Sequence, residues 1–404
     1  MRTRSLFGVL VRRPLPPLLI AAQVAIAMAV LTNVSYLVHL RIEAVMRPTG
    51  IDLDNVFWIA SRGYGSTYHH GPTLQADLLY LNSLQGVTAA AASMTVPQTY
   101  GVYSLNFSNA RDAQARKQPA VVFLATEKTL DALGLKLIAG RIPTTEFVTP
   151  AAPNPTDALG RWAPEVMITQ SLAEKLFPAG DAVGKTIYAS LVDRPARIGG
   201  VVAAMQVAPL AEVESDVVLV PAFPPEPSAV YLVRTQPGRR AEVMAEVEKA
   251  FTDAQPGRFI SRIETLNRTA AATRTELRSS SVILSTIVVL VLTITAVGIF
   301  GLAASSVVAR SRSIGTLRAV GAQKFHVLRF FLLENLLITT VGITAGGVLA
   351  PFLGAHLGAV YSVRLPLHYL VGSAVFLWGL GACAVLAPAL RAASIPPAIA
   401  TRKA

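Results

Sequence analysis

Hydrophobic positions are distributed unevenly along the chain. Four runs exceed the roughly 18 apolar residues that a membrane-crossing helix requires. They cover residues 17–40, 282–308, 332–357 and 370–390. Between the first two lies a polar stretch, residues 41–281, with a different rhythm. Short apolar runs at 120–125, 166–169, 197–203, 217–220 and 230–234 predict strands. Residues 127–133 and 171–176 predict short helices, and Val243, Val247 and Phe251 repeat every four residues along a helix at 239–253. Short strands mixed with helices predict an α+β domain over residues 41–265, in two lobes joined by the proline-rich stretch 143–164. From 266 to 281 the sequence is polar but free of helix breakers. It predicts a stalk helix that runs into the second span without a break.

Composition supports a membrane protein. Of 404 residues, 52% are hydrophobic and 15% charged, where soluble domains average about 25% charged. The single cysteine, Cys383, excludes an internal disulfide framework and a cysteine zinc site. The net charge of +12 raises the question of nucleic acid, and the placement of the charges answers it. The long polar stretch is neutral, with 23 bases and 23 acids. Elsewhere the only acid is Glu334, against 13 bases. Twelve of these lie in three places: the N-terminal tail 1–16, the link 309–331, and the C-terminal tail 391–404. The link 358–369 has only Arg364. Under the positive-inside rule both termini and the 309–331 link are cytoplasmic, and the large domain and the 358–369 loop are outside. The basicity marks topology and a contact with membrane lipids, not nucleic acid. The first run extends about ten residues past a cleavage-like Ala27-Met28-Ala29, longer than a signal sequence needs, which predicts a retained anchor.

Candidate chemistry is sparse. Gly180 to Thr186 resembles a phosphate loop but has three residues between its glycines where four are required. The six histidines show no metal-ligand spacing, and no nucleophile elbow is present. No catalytic residue, metal site or directly bound cofactor is expected. In the third span Gly342, Gly346, Ala350, Gly354 and Gly358 recur every four residues, a ridge that lets another helix approach closely. The partner is either a helix of the same chain or a neighbouring subunit. Pro351 predicts a kink there. Glu334, near the inner end of that span, predicts an interfacial ion pair with a base. Gln23 and Asn33 offer hydrogen bonds between helices. In the link, Ile314, Leu317, Gly321, Phe325 and Leu328 fall on one side of a helix, with bases elsewhere. This fits a helix on the membrane surface or one that docks a cytoplasmic partner.

The link also carries a resemblance. Arg312-Ser-Ile-Gly-Thr-Leu-Arg318-Ala-Val-Gly-Ala322, followed by Phe331-Leu-Leu-Glu334, is similar to the signature of MacB/FtsX-like ABC transporter permeases. Residues 133–141, 168–185 and 198–202 resemble that family's outer-domain blocks in the right order, and 394–398 resembles its C-terminal ending. The resemblance implies a membrane protein of four transmembrane helices, with a large MacB-like periplasmic core domain between the first and second. It implies a bacterial inner-membrane subunit without chemistry of its own, using ATP and Mg through a separate cytoplasmic ABC ATPase dimer. A second permease subunit, identical or not, and a periplasmic adaptor are the further partners it implies. Arg312, Ile314, Gly315, Leu317, Arg318 and Gly321 become the implied ATPase-docking residues, and Gly342, Gly346 and Gly354 the helix-packing ones. The implied function is mechanotransmission, driving export of a peptide, antibiotic or lipoprotein-like substrate. The alternative is a non-transporting regulator of a cell-envelope enzyme. One position departs from the signature: Ser313 stands where the family has an acid.

Overall fold

The computed structural model describes residues 15–66, 68–100, 102–112, 117–143, 164–190, 195–208, 216–224, 227–253, 257–319, 321, 323–357 and 365–394. Most of the expected tails, the proline-rich connection and most of the 358–369 loop, with Gly358, lie outside them. The chain forms two compact units, residues 40–278 and the combination of 1–39 with 279–404.

The first helix, α1 (Leu15–Met46), leads into the polar unit. That unit begins with β1 (Val56–Gly63), α2 (His70–Ser83) and β2 (Val87–Ser93). Next come β3 (Tyr103–Ser108), β4 (Gln118–Ala125), α3 (Thr129–Leu133) and β5 (Leu137–Gly140). They are followed by β6 (Glu165–Thr169), α4 (Gln170–Leu176), β7 (Thr186–Ala189), β8 (Ala196–Val202) and β9 (Val217–Pro221). It closes with β10 (Ser228–Thr235), α5 (Arg240–Asp253) and β11 (Arg258–Thr265).

The strands make two sheets. One has the order β11-β1-β10-β2, antiparallel throughout. With α2 and α5 it is a split β-α-β arrangement. The other has the order β5-β8-β6-β9-β4-β3-β7, and β7 also pairs with β8. Six strands therefore close into a ring, which removes their free edges. The second lobe is an insertion between β2 and β10 of the first. The proline-rich connection falls inside this lobe, between β5 and β6, and so is not the boundary the sequence predicted.

Packing follows from the side-chain period of two. In β1, Phe57 and Ile59 lie under the helices with Leu74, Leu81, Val243, Val247 and Phe251. Val56 and Trp58 face the other way, into a layer shared with Phe123, Leu133 and Leu219 of the second lobe. The ring has its own core of Phe107, Val122, Ile168, Ile187, Ile198 and Val218. Between helices and sheet, Asp77 accepts a hydrogen bond from Tyr231 Oη at 2.5 Å and pairs with Arg258 at 2.7 Å. Burial, followed by the Asp77 charge, pushes the Tyr231 phenol well above its ordinary pKa. Arg258 also lies 4.5 Å from the centre of the Phe251 ring.

The lobes are tied at Asp52. Its backbone N–H donates to Leu133 O at 2.9 Å, and its carboxylate pairs with Arg234 at 2.9 Å. Arg234 also donates to Asp131 O, in α3. Burial works to raise the Asp52 pKa, but bonds from Asn55 and Arg234 outweigh it and hold the carboxyl below its ordinary value.

The other unit is helical. It holds α1 up to His39 and α6 (Leu266–Ala309) from Ser279 onward, with α7 (Ser311–Ala319), α8 (Lys324–Leu357) and α9 (Leu367–Ala393). The helices α1, α6, α8 and α9 are long and apolar enough to cross a membrane. Their core gathers Val24, Met28, Ile299, Val307, Phe331, Ile338, Leu377 and Val385. Pro351 lies inside α8 and Pro388 inside α9.

Folding favours the ionised form of Asp52. Its contribution is therefore present in full above the unfolded aspartate pKa, about 3.9, and is lost as pH falls through the lower folded value. Asp52→Asn is expected to destabilise the polar unit at neutral pH. The gap from wild type should close below about pH 4 in chemical-denaturation curves followed by tryptophan fluorescence.

Candidate functional site

Helix α6 is the element around which the candidate residues collect. Its first turns belong to the polar unit. Leu266, Ala270, Thr273 and Leu277 recur at helical spacing and are buried there. Trp58 Nε1 donates to Thr269 Oγ1 at 2.8 Å, which fixes the first turn to β1. The helix then continues without interruption to Ala309.

At its far end α6 passes into α7 through Arg310. The N–H of Arg310 bonds Ser306 O at 3.1 Å, and the N–H of Ile314 bonds Arg310 O at 3.0 Å. Helical bonds therefore flank the joint on both sides. The Arg310 guanidinium makes a two-pronged pair with Glu334 on α8, both bonds 2.9 Å. A planar fork matched to a carboxylate is the strongest form of such a pair. Glu334 is 12% exposed and Arg310 28%. The pair forms part of the wall of a cavity of about 530 Å³, among Ile20, Ile299, Ala303 and Phe331. The expected ion pair of Glu334 is thus made with Arg310, at the joint between α6 and α7.

The link itself differs from a single amphipathic helix. Helix α7 ends at Ala319, Gly321 takes φ +103°, and α8 begins at Lys324. A positive φ of this kind suits glycine and stops the helix. The break puts the two halves out of phase. Ile314 is 6% exposed and packs into the bundle core with Val307, Val327 and Phe331. Gly315 is buried as well. Ile314 therefore anchors α7 to its own bundle, and it does not project as the apolar knob that periodicity suggests. Ser313, Thr316, Gly321, Gln323, Lys324 and His326 are exposed, and Arg318 is half-buried. Phe325 is 64% exposed, although periodicity put it on the same side as Ile314. Arg312 and Leu317 are placed on α7 by their backbone alone.

The small-residue ridge of α8 meets α1 of the same chain. A Cβ on Gly342 would lie 2.7 Å from Ala21 O and from Val24 Cβ. One on Gly346 would lie 2.7 Å from Met28 Cβ, and one on Gly354 2.8 Å from Asn33 Oδ1. Asn33 Nδ2 donates to Ala350 O at 3.0 Å, and Gln23 Nε2 to Ile294 O on α6 at 2.8 Å. Of the two partners the sequence left open, the one seen at these three glycines is a helix of the same chain.

The phosphate-loop look-alike is a turn into β7. Gly180 and Gly184 adopt φ +119° and +83°, and Lys185 Nζ sits 4.9 Å from the Phe177 ring centre. Among the described residues no group of three or more His, Cys, Asp or Glu is placed to hold a metal ion.

Two family models match the chain: the MacB-like periplasmic core domain over residues 19–250 and the FtsX-like permease C-terminal region over 285–397. Among curated proteins it is similar to the macrolide export ATP-binding/permease protein MacB of Neisseria meningitidis. The identity is 24% over 289 residues, covering 67% of this chain and 42% of that protein. The protein of the same description from Nitrobacter winogradskyi is 31% identical over 132 residues, 30% of this chain and 19% of its own. The chain spans about two-fifths of the Neisseria protein, and less of the Nitrobacter one. The periplasmic region of MacB from Actinobacillus actinomycetemcomitans aligns with a TM-score of 0.33 at 16% identity, over 57% of this chain and 97% of that one.

Close contact at Gly346 and open space at the neighbouring Gly347 give a paired test. Gly346→Val is expected to lower bundle stability by about 1–3 kcal/mol, the usual cost of overpacking. Gly347→Val should fall well short of that. Thermal unfolding of each variant in mild detergent checks the contrast.

Proposed function

This chain belongs to the MacB/FtsX-like ABC transporter permeases, and we propose that it is the membrane subunit of a machine powered by a separate cytoplasmic ATPase. The observation that carries the reading is the layout of α6. One unbroken helix is built into the outer domain at its first turns and meets the bundle through the Arg310–Glu334 pair at its last. Such a helix can deliver a movement made at α7 to the outer domain. In this reading both termini and the 309–331 link face the cytoplasm of a bacterium, and the ATPase dimer supplies ATP and Mg.

The docking surface is the exposed side of the link: Ser313, Thr316, Gly321 and Phe325, with Arg318 and Lys324 as the cationic rim. Phe325 replaces Ile314 as the apolar anchor, because Ile314 is committed to the bundle. The rim charges set orientation and association rate. Ser313 is exposed at the position of the family acid, so an acid there would face the partner. A second permease subunit completes the machine. The apolar window of α6 is 11% buried against 44% for α1, which leaves Val289, Ile294 and Val297 open to that subunit or to lipid. By analogy with relatives described as macrolide exporters, the cargo class is an antibiotic, peptide or lipoprotein-like amphiphile. It is handled on the outer side, and an adaptor carries it onward.

Three outcomes are expected. Phe325→Asp removes an aromatic anchor, which costs about 2 kcal/mol or more at a contact centre, roughly thirtyfold in affinity. The ATPase should no longer co-purify while the membrane level of the chain is unchanged. Ser313→Glu should bind at least as well as wild type. Retention of the ATPase by Phe325→Asp would remove the docking claim. In a Cys383→Ala background, an impermeant thiol reagent added to intact spheroplasts should label Asp181→Cys and miss Gln323→Cys.

A further inference from the structure

Within the polar unit, α1 and α6 are the two helices that also belong to the bundle, and a chain of buried amides connects them. Thr273 Oγ1, on α6, donates to Gln98 O at 2.8 Å. Gln98 Nε2 donates to Gln206 O at 2.6 Å. Gln206 Nε2 donates to Ala44 O, at the end of α1, at 3.2 Å. Two backbone bonds brace the chain: Gln98 N–H to Val207 O at 2.5 Å and Gln206 N–H to Thr49 O at 2.8 Å. Gln98 is 2% exposed and Gln206 4%, so solvent cannot replace a lost partner cheaply.

The backbone at Gln98 is also strained. Its φ is +67°, and it is the only non-glycine residue of positive φ among the described residues. Left-handed backbone suits glycine or asparagine, and a glutamine persists there only when its surroundings hold it. Here the strained conformation turns the carbonyl toward Thr273 while the side chain reaches Gln206. Neither a glycine nor an asparagine could make both contacts. Glycine has no amide, and asparagine is one methylene short.

We propose that Gln98 is a yoke: it holds the end of α1 and the start of α6 at a fixed separation, so that both helices move the outer domain as one body. This rests on the reading that α6 transmits force. The yoke itself is a property of the outer domain and is measurable without the ATPase. Gln98 is a positioning residue, and it acts through Thr273 and Gln206.

The test uses the full chain in lipid nanodiscs, with Cys383→Ala and nitroxides at two exposed positions, Met46→Cys on α1 and Glu276→Cys on α6. Pulsed electron spin resonance reads the distance between them. Wild type should give one narrow distribution. Gln98→Asn and Gln98→Gly tolerate the left-handed backbone better than glutamine does, so both are expected to fold, checked by thermal unfolding. Both should nevertheless lose the narrow distribution, as should Thr273→Val. A narrow, unshifted distribution in folded Gln98→Asn or Gln98→Gly overturns the yoke. With an ATPase bound and ATP added, the wild-type distance should stay constant while that of Gln98→Asn shifts. If Phe325→Asp keeps the ATPase, the docking claim fails, and the nucleotide-free distances still decide the yoke.

Discussion

Helices in hydrocarbon have no hydrophobic force drawing them together, since a lipid tail is as apolar as a leucine side chain. Association then depends on how closely two backbones can approach. In this bundle the approach is made at Gly342, Gly346 and Gly354 of α8, which let α1 come within van der Waals distance at Ala21, Val24, Met28 and Asn33. Three polar contacts add to it. Asn33 bonds Ala350 O, Gln23 bonds Ile294 O, and Arg310 takes both oxygens of Glu334. The bundle core, with Met28, Ile299, Phe331 and Val385, fills what remains. The same close packing fixes the position of α8, and through Glu334 that of the joint at Arg310.

The consequences for function run along α6. Its first turn, inside the outer domain, is held by Trp58, and its far end by an ion pair in a largely apolar setting. Unpaired, either charge would be costly at that depth, so the joint resists being pulled apart. The next turn, α7, is seated by Ile314 and leaves Ser313 and Thr316 outward.

Much of this was legible in the sequence. The four spans, the neutral outer domain among basic links and the continuous stalk helix follow from hydropathy, charge and the lack of helix breakers at 266–281. So does the buried face of α5, since Val243, Val247 and Phe251 repeat with the helix. What escaped has specific causes. β1 is buried on both faces, so Val56 to Ile59 shows no alternation, and β2 is a run of alanines, which favour helix in isolation. The true lobe boundary is hidden because an insertion leaves no compositional mark at Ser93 or Ser228, whereas the prolines of 143–164 are conspicuous. Periodicity puts Ile314 and Phe325 on one face only while the link is a single helix; Gly321, with its φ of +103°, is a stop and not a small residue on that face. Arg310, Arg312 and Arg329 all lie within about a turn of a span end, so the sequence offers Glu334 several bases. Its pairing across the bundle could not be seen without the fold. The yoke at Gln98 left no signal beyond its following Pro97.

The central claim is that ATP used on one side of the membrane moves the outer domain on the other, through α6. The direct measurement is a pulsed spin-resonance distance between nitroxides at exposed Glu127 in the two subunits of a reconstituted dimer with its ATPase, compared without nucleotide and with ATP trapped by vanadate. The account predicts a distance that changes on trapping and returns on release. An unchanged distance in a complex that hydrolyses ATP would contradict it.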